Sequence, residues 1–285
     1  MKLEDIRSVG VVGAGTMGAG IAQMAAMAGL ETKLFDINKE ALKKAEHSIQ
    51  KNLEKGVEKG KVSQEQLEAA LKNVHTTDQL EDLQCDMIIE AIVERLDVKI
   101  ELFRKLETFN SDTTILATNT SSIPITQIGA GLAKPERLVG MHFFNPAHIM
   151  KLVEVISGAA TAPAVASVTK LLAEKMGKKA VEAKDAPGFI VNRVARHFYV
   201  EGLKIAEEKV ADFQQIDRLI QSSGFKMGPF QLMDLIGVDT NFSVTKSMFE
   251  SFYFDSKFRP SRIQQQKVDA GHHGKKSGKG FYNYE

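Results

Sequence analysis

"SVGVVGAGTMGAGIAQ", residues 8–23, sets the fold class. Small and β-branched apolar residues open it and read as a buried strand. Gly13, Gly15 and Gly18 follow in the spacing G-x-G-x-x-G, and "TMGAGIAQMAAMAGL" (16–30) reads as a helix ending near Gly29. Each glycine has its own task in a strand–turn–helix unit. Gly13 permits the turn, Gly15 lets a pyrophosphate approach the backbone, and Gly18 lets helix and strand pack closely. The helix start, with Thr16 and Met17, offers unpaired N–H groups and a partial positive charge to phosphate. Three glycines alone say little, because a tight turn would use them too. The context says more: the second strand, "TKLFD" (32–36), ends in Asp36 about 20 residues on. A carboxylate there accepts hydrogen bonds from an adenosine 2′-OH and repels a 2′-phosphate. The expected cofactor is therefore NAD rather than NADP.

Outward from this stretch, short apolar runs alternate with helical patterns up to about residue 185. Helices are expected at roughly 38–60, 63–72, 97–109 and 163–176. Strands are expected at "DMIIEAIV" (86–93), "TTILATN" (113–119), "RLVGMHF" (137–143), "KLVEVIS" (151–157) and "KAVEAKD" (179–185). This alternation predicts a parallel sheet covered by helices. The close spacing of 137–143 and 151–157 instead suits a hairpin. After "DAPGF" (185–189) strand signals vanish until the tail, and Pro187–Gly188 marks a hinge. The expected fold is α/β: a Rossmann-like, mostly parallel sheet domain over 1–185, then a smaller all-helical domain over 186–285.

Bulk properties narrow the function. Across 285 residues the hydrophobic fraction is 43% and the formal net charge is +1, which gives no electrostatic case for nucleic-acid binding. Cys85 is the single cysteine, which excludes an intramolecular disulfide and fits a reducing compartment. The first residues do not read as a signal peptide, and no apolar stretch reaches the ~18 residues of a membrane helix. A cytoplasmic location, with no membrane and no metal, is expected. The doublet His272–His273 has no further ligands at metal spacing.

In open α/β sheets, ligands bind beyond the carboxyl ends of the strands. Three runs deliver polar groups there: Asp36, then "TNTSS" with Asn119 and Ser121, then His142. In "LVEVI", Leu152, Glu154 and Ile156 share one face, so Glu154 sits among apolar neighbours. His142 lies twelve positions earlier, at the end of the preceding strand. A hairpin return would pair them, fixing one imidazole nitrogen and leaving the other to exchange a proton. Spacing alone leans towards the plainer alternative, in which Glu154 pairs with Lys151 or is solvated and His142 is a core histidine.

The chain resembles the L-3-hydroxyacyl-CoA dehydrogenase family, especially its shorter, bacterial 3-hydroxybutyryl-CoA members. The resemblance runs through nearly the whole chain: "GAGTMGAGIAQ" (13–23), "AIVERLDVK" (91–99), "TNTSS" (118–122), "MHFFNP" (141–146), "MKLVEVI" (150–156), "PGFIVNR" (187–193), "MGPFQLMDLIGVD" (227–239) and "GKKSGKGFYNY" (274–284). It implies that His142 is the catalytic acid/base and Glu154 its orienting partner. It puts Ser121 and Asn192 on the substrate near the reacting carbons, and Asn119, Glu94 and Lys99 around NAD. It also implies an acyl-CoA substrate held in a cleft between the domains, short chains, and a homodimer formed through the helical domain.

Lys51, Lys55 and Lys59 share a helix face. They read as a solvated face, but the resemblance makes Lys55 and Lys59 candidates for the coenzyme A phosphates. His148 lacks a carboxylate at strand spacing. Phe252, Tyr253 and Phe254 are expected to pack a core or a dimer contact. Two residues depart from the family: His197, where relatives often carry proline, and Gln231, in place of a common glutamate. Two other functions compete: a dehydrogenase of free hydroxy acids, and a non-catalytic dinucleotide-binding protein.

Overall fold

Strand β1 (Ser8–Val12) holds Val9 and Val11 at 0% exposure and Val12 at 1%. A strand with no solvent face belongs inside a sheet covered on both sides. The structure, a computed structural model, describes residues 2–284. It divides into two compact units, Met1–Ala186 and Pro187–Glu285.

In the first unit β1 leads to α1 (Thr16–Met27), β2 (Glu31–Phe35), α2 (Lys39–Glu58), α3 (Gln64–Asn73) and β3 (Val74–Thr77). Then come β4 (Met87–Glu90), α4 (Leu96–Phe109), β5 (Ile115–Thr118), α5 (Ile125–Gly129), β6 (Leu138–Phe143), β7 (Leu152–Ser157), α6 (Pro163–Lys175) and β8 (Lys179–Lys184). The strands form one sheet in the order β3-β2-β1-β4-β5-β6-β7-β8. Neighbours are parallel except β6 and β7, which pair antiparallel. The chain works outward from β1 to β3, then returns to β4 and builds the other way. That reversal opens a crevice at the strands' carboxyl ends.

Local chemistry fixes the helices. In α2 the buried residues are Leu42, Ala45, Ile49 and Leu53, one stripe at helical spacing. Asn38 caps it, accepting from the N–H groups of Glu40 and Ala41. Ser63 and Gln66 cap α3 reciprocally. Strand β3 is absent from the sequence reading for a physical reason. "VHTT" has one apolar residue and buries none, being held at the sheet edge by its pairing with β2.

The second unit contains α7 (Val191–Glu207), α8 (Phe213–Ser222), α9 (Pro229–Ile236), α10 (Val238–Ser251) and α11 (Arg262–Asp269). Tyr199, Leu203, Phe230, Met233, Val238 and Phe281 form its core. Two buried acids stitch it together. Asp217 accepts from the N–H groups of Phe230 (3.0 Å) and Gln231 (2.9 Å) and the Tyr282 hydroxyl (2.7 Å). Asp234 accepts from the N–H groups of Phe281 and Tyr282 and the Tyr284 hydroxyl, each at 2.9 Å. His197 does not interrupt α7 and stacks on Phe258, with 5.0 Å between ring centroids. Gln231 accepts a hydrogen bond from Gln221. Phe252 stacks on Phe258, but Tyr253 is 93% exposed and Phe254 66% exposed, so these two pack no core within this unit. No helix among the described residues is long and apolar enough to cross a membrane.

Candidate functional site

The glycine turn divides its labour among its members. Gly13 has a φ of +103°, and a Cβ there would lie 2.6 Å from the Ala91 carbonyl oxygen. A Cβ on Gly18 would lie 1.7 Å from the Gly13 oxygen. The protein itself needs both glycines. Gly15 differs, being exposed with nothing within 4 Å of its Cβ position. It is the residue before α1, and no side chain caps that helix, so first-turn N–H groups are available to an anion. Thr16 opens α1 exposed, and Met17 is half-buried behind it.

Asp36 stands at the end of β2. One oxygen accepts the Ala14 N–H at 2.8 Å and the other the Asn38 N–H at 2.9 Å. The carboxylate is thus fixed beside the glycine turn. A cavity of about 570 Å³ opens here, lined by Gly13, Gly15, Asp36, Ile37, Ala91 and Val93 among others. Its size suits a small ligand. The open space at Gly15, the uncapped helix start and the fixed carboxylate fit a dinucleotide with a free ribose 2′-OH.

Next to this cavity lies a buried charge cluster. Lys99, 1% exposed, donates to Glu90 at 2.6 Å and pairs with Glu94 at 3.2 Å. Glu90, wholly buried, also accepts from the Ile92 N–H (2.8 Å) and the Thr118 hydroxyl (2.7 Å). Glu94 accepts from the Thr120 hydroxyl (2.6 Å) and the N–H groups of Ser121 (3.0 Å) and Ser122 (3.2 Å). Burial alone would raise the Glu94 pKa. Lys99, Thr120 and Ser121 overcome it and hold it below the ordinary value. The cluster therefore clamps the "TNTSS" loop that presents Ser121. The sequence reading named Glu94 and Lys99 but missed Glu90, Thr118 and Thr120. The available signal was the one that Glu154 gives, an acid inside the apolar strand "MIIE".

His142 and Glu154 are register partners across β6 and β7. The Nδ1 of His142 lies 2.8 Å from the Oε2 of Glu154, and the residues are 6% and 1% exposed. Lys151 is thus not required as the partner of Glu154. Asn119 ties the serine loop to this strand pair, its Oδ1 accepting the Phe143 N–H at 2.8 Å. Lys178 adds a support that the sequence reading missed. Its Nζ donates to the carbonyls of Ala147 (2.5 Å) and Met150 (3.1 Å), in the β6–β7 connection. Burial pushes its pKa down to about 8. His148 is half-buried, and burial together with Lys178 lowers its pKa.

The remaining candidates are more scattered. Lys55 lies exposed in the last turn of α2, and Lys59 is exposed just past its end. Asn192, half-buried, is the second residue of α7 in the other unit. No group of three or more His, Cys, Asp or Glu suited to a metal ion occurs among the described residues.

Comparison with known proteins agrees with this chemistry. Residues 8–186 match the family model described as 3-hydroxyacyl-CoA dehydrogenase, NAD binding domain, and residues 188–284 match its C-terminal domain. A probable 3-hydroxybutyryl-CoA dehydrogenase of Bacillus subtilis is 43% identical over 99% of this chain and 98% of its own. A 3-hydroxyadipyl-CoA dehydrogenase of Escherichia coli is 46% identical over 98% of this chain, which spans 59% of that protein's length. The crystal structure of a 3-hydroxybutyryl-CoA dehydrogenase from Escherichia coli superposes with a TM-score of 0.96 at 47% identity, covering 98% of this chain and 60% of that one. That of (S)-3-hydroxybutyryl-CoA dehydrogenase from Ralstonia eutropha gives 0.95 at 35% identity, covering 98% and 99%. With both of its units matched in order, the chain belongs to the 3-hydroxyacyl-CoA dehydrogenase family.

Proposed function

We propose that this protein oxidises (S)-3-hydroxyacyl-CoA thioesters to 3-oxoacyl-CoA, and runs the reverse reaction, with NAD as redox partner. The acyl chain is short, as in 3-hydroxybutyryl-CoA. The observation that carries the reading is the buried His142–Glu154 contact on the sheet that also bears the glycine turn and Asp36. The relatives' names support it: of the four above, three are named for 3-hydroxybutyryl-CoA and one for 3-hydroxyadipyl-CoA.

Gly13, Gly15, Thr16, Met17 and Gly18 hold the pyrophosphate region, and Asp36 takes the adenosine ribose. Glu94, Lys99 and Asn119 shape the nicotinamide side. Bound NAD supplies the acceptor for the hydride that leaves C3. Neutral His142 takes the hydroxyl proton on Nε2 as the C3–O bond becomes a carbonyl. In reverse, the imidazolium returns that proton to the ketone oxygen. Glu154 accepts a hydrogen bond from Nδ1–H, which selects the tautomer and offsets the imidazolium charge. Ser121 and Asn192 hold the substrate oxygens. Lys55 and Lys59 meet the coenzyme A phosphates.

The same reading assigns nucleotide binding to the first unit, and substrate binding and homodimer formation to the second. Exposed Val194, Leu219, Phe225, Tyr253 and Phe254 support a dimer contact there. A cytoplasmic setting completes it, supported by the single, buried Cys85. The test compares NADH consumption with acetoacetyl-CoA, with free acetoacetate and in buffer. Turnover of the thioester alone is expected. Equal use of the free acid would point to a hydroxy-acid dehydrogenase, and no turnover at all to a binding protein.

A further inference from the structure

The hairpin that carries His142 and Glu154 is closed by a connection, residues 144–151, that belongs to no helix or strand. It is nevertheless held from three sides. Lys178, the residue before β8, is 7% exposed, and its Nζ donates to the carbonyls of Ala147 (2.5 Å) and Met150 (3.1 Å). Ala147, 1% exposed, lies against α1: a Cβ built on Gly20 would come 3.0 Å from the Ala147 Cβ. At the start of the connection, the Phe144 ring packs on the His142 imidazole, with 4.5 Å between centroids and 48° between planes.

A lysine is a costly way to fill that space, because an ammonium loses its hydration on burial. A methionine of similar length would pack there without that cost. What the ammonium adds is one point on which two carbonyls, three residues apart, converge. Burial pushes its pKa down to about 8, which still leaves it charged near neutral pH, so both bonds are charge-assisted.

The hydrogen bond to Glu154 fixes one atom of the His142 ring. An imidazole held at Nδ1 can swing about that bond and carry Nε2 with it. A second ring packed on its face limits the swing, and that ring is Phe144. Phe144 is placed by β6 on one side and by the pinned connection on the other. We propose that Lys178 is a positioning residue for the proton transfer: by pinning the β6–β7 connection it keeps Phe144 against His142 and Nε2 aimed at the substrate oxygen. The proposal rests on the acid/base reading of His142 and adds to it a residue that acts through two others.

The test is a double-mutant cycle of Lys178→Met, Phe144→Leu and the two combined, in the reduction of acetoacetyl-CoA. kcat is expressed per NADH-binding site, counted by fluorescence titration, so that loss of folded protein does not enter. Each single variant is expected to lower kcat by about tenfold or more, since a misplacement of about 1 Å at the reacting atoms costs up to ~10²-fold. The Kd for NADH should stay within about twofold. The double variant should be within about twofold of the slower single variant, because both changes act on one ring. Losses that multiply in the double variant would make Lys178 a structural residue only and overturn the proposal. A wild-type kcat in Lys178→Met, or in Phe144→Leu, overturns it too, and Lys178→Gln takes the place of Lys178→Met in the cycle if that variant does not fold. Wild-type turnover in His142→Gln would remove the acid/base reading and the proposal with it, whereas no turnover by the wild type would overturn the acyl-CoA reading.

Discussion

His142 and Glu154 face each other across the antiparallel pair β6–β7, with 2.8 Å between Nδ1 and Oε2. Register partners project to the same side of a sheet, so the contact is set by backbone pairing rather than by flexible side chains. An ionised carboxylate can only accept, so the proton of a neutral imidazole sits on Nδ1. Nε2 is then the basic nitrogen.

Glu154→Gln tests that orientation. The amide keeps the shape and loses the charge that favours one tautomer and the imidazolium. Turnover of acetoacetyl-CoA is expected to fall by at least about tenfold, given that losing an orienting carboxylate costs up to ~10⁴. NADH affinity, followed by fluorescence titration, should stay within about twofold, because the proposed role of Glu154 is exerted on the His142 ring and not on the nucleotide.

Asp36→Ala tests cofactor choice. The carboxylate also holds the Ala14 and Asn38 N–H groups, so some loss of stability is expected. The deciding quantity is the ratio of kcat/KM with NADH to that with NADPH. It should fall by about tenfold or more as the repulsion of a 2′-phosphate disappears. An unchanged ratio would remove Asp36 from the ribose.

Lys99→Met tests the buried cluster. It leaves Glu90 and Glu94 facing each other without their shared cation. Breaking such a pair costs about 3–5 kcal/mol, which urea unfolding would read as a lower midpoint. A loss below about 1 kcal/mol would mean that the serine loop does not depend on this clamp.

Acid should expose the same cluster. Glu94 is held below its ordinary pKa, so its contribution to stability is full above the unfolded value of about 4.3. That contribution is lost as pH falls through the lower, folded value. Below about pH 4.3 the melting temperature of the wild type should therefore fall more steeply than that of Glu94→Gln. Parallel slopes would contradict the assignment.

Much of this was legible in the sequence because each motif carries its own physics. The glycine spacing and Asp36 needed only a strand and a helix around them, and β1, α1 and β2 supply these. The β6–β7 hairpin followed from the short gap between two apolar runs. Strand β3 was not legible, because an edge strand can be polar. Glu90 was missed because its partners, Lys99 and Thr118, lie on other elements. Glu154 was legible because it is an acid inside an apolar strand, and the short hairpin gap pointed to His142 as its partner. Residue type and spacing reveal a buried charge; only the fold reveals what completes it.

The central claim is that His142 moves the proton. It is tested most directly by the rate of NADH consumption with acetoacetyl-CoA in His142→Gln beside the wild type. The expected result is a fall in kcat of about 10²–10⁴ with the protein still folded and still binding NADH. A turnover near that of the wild type would contradict the account.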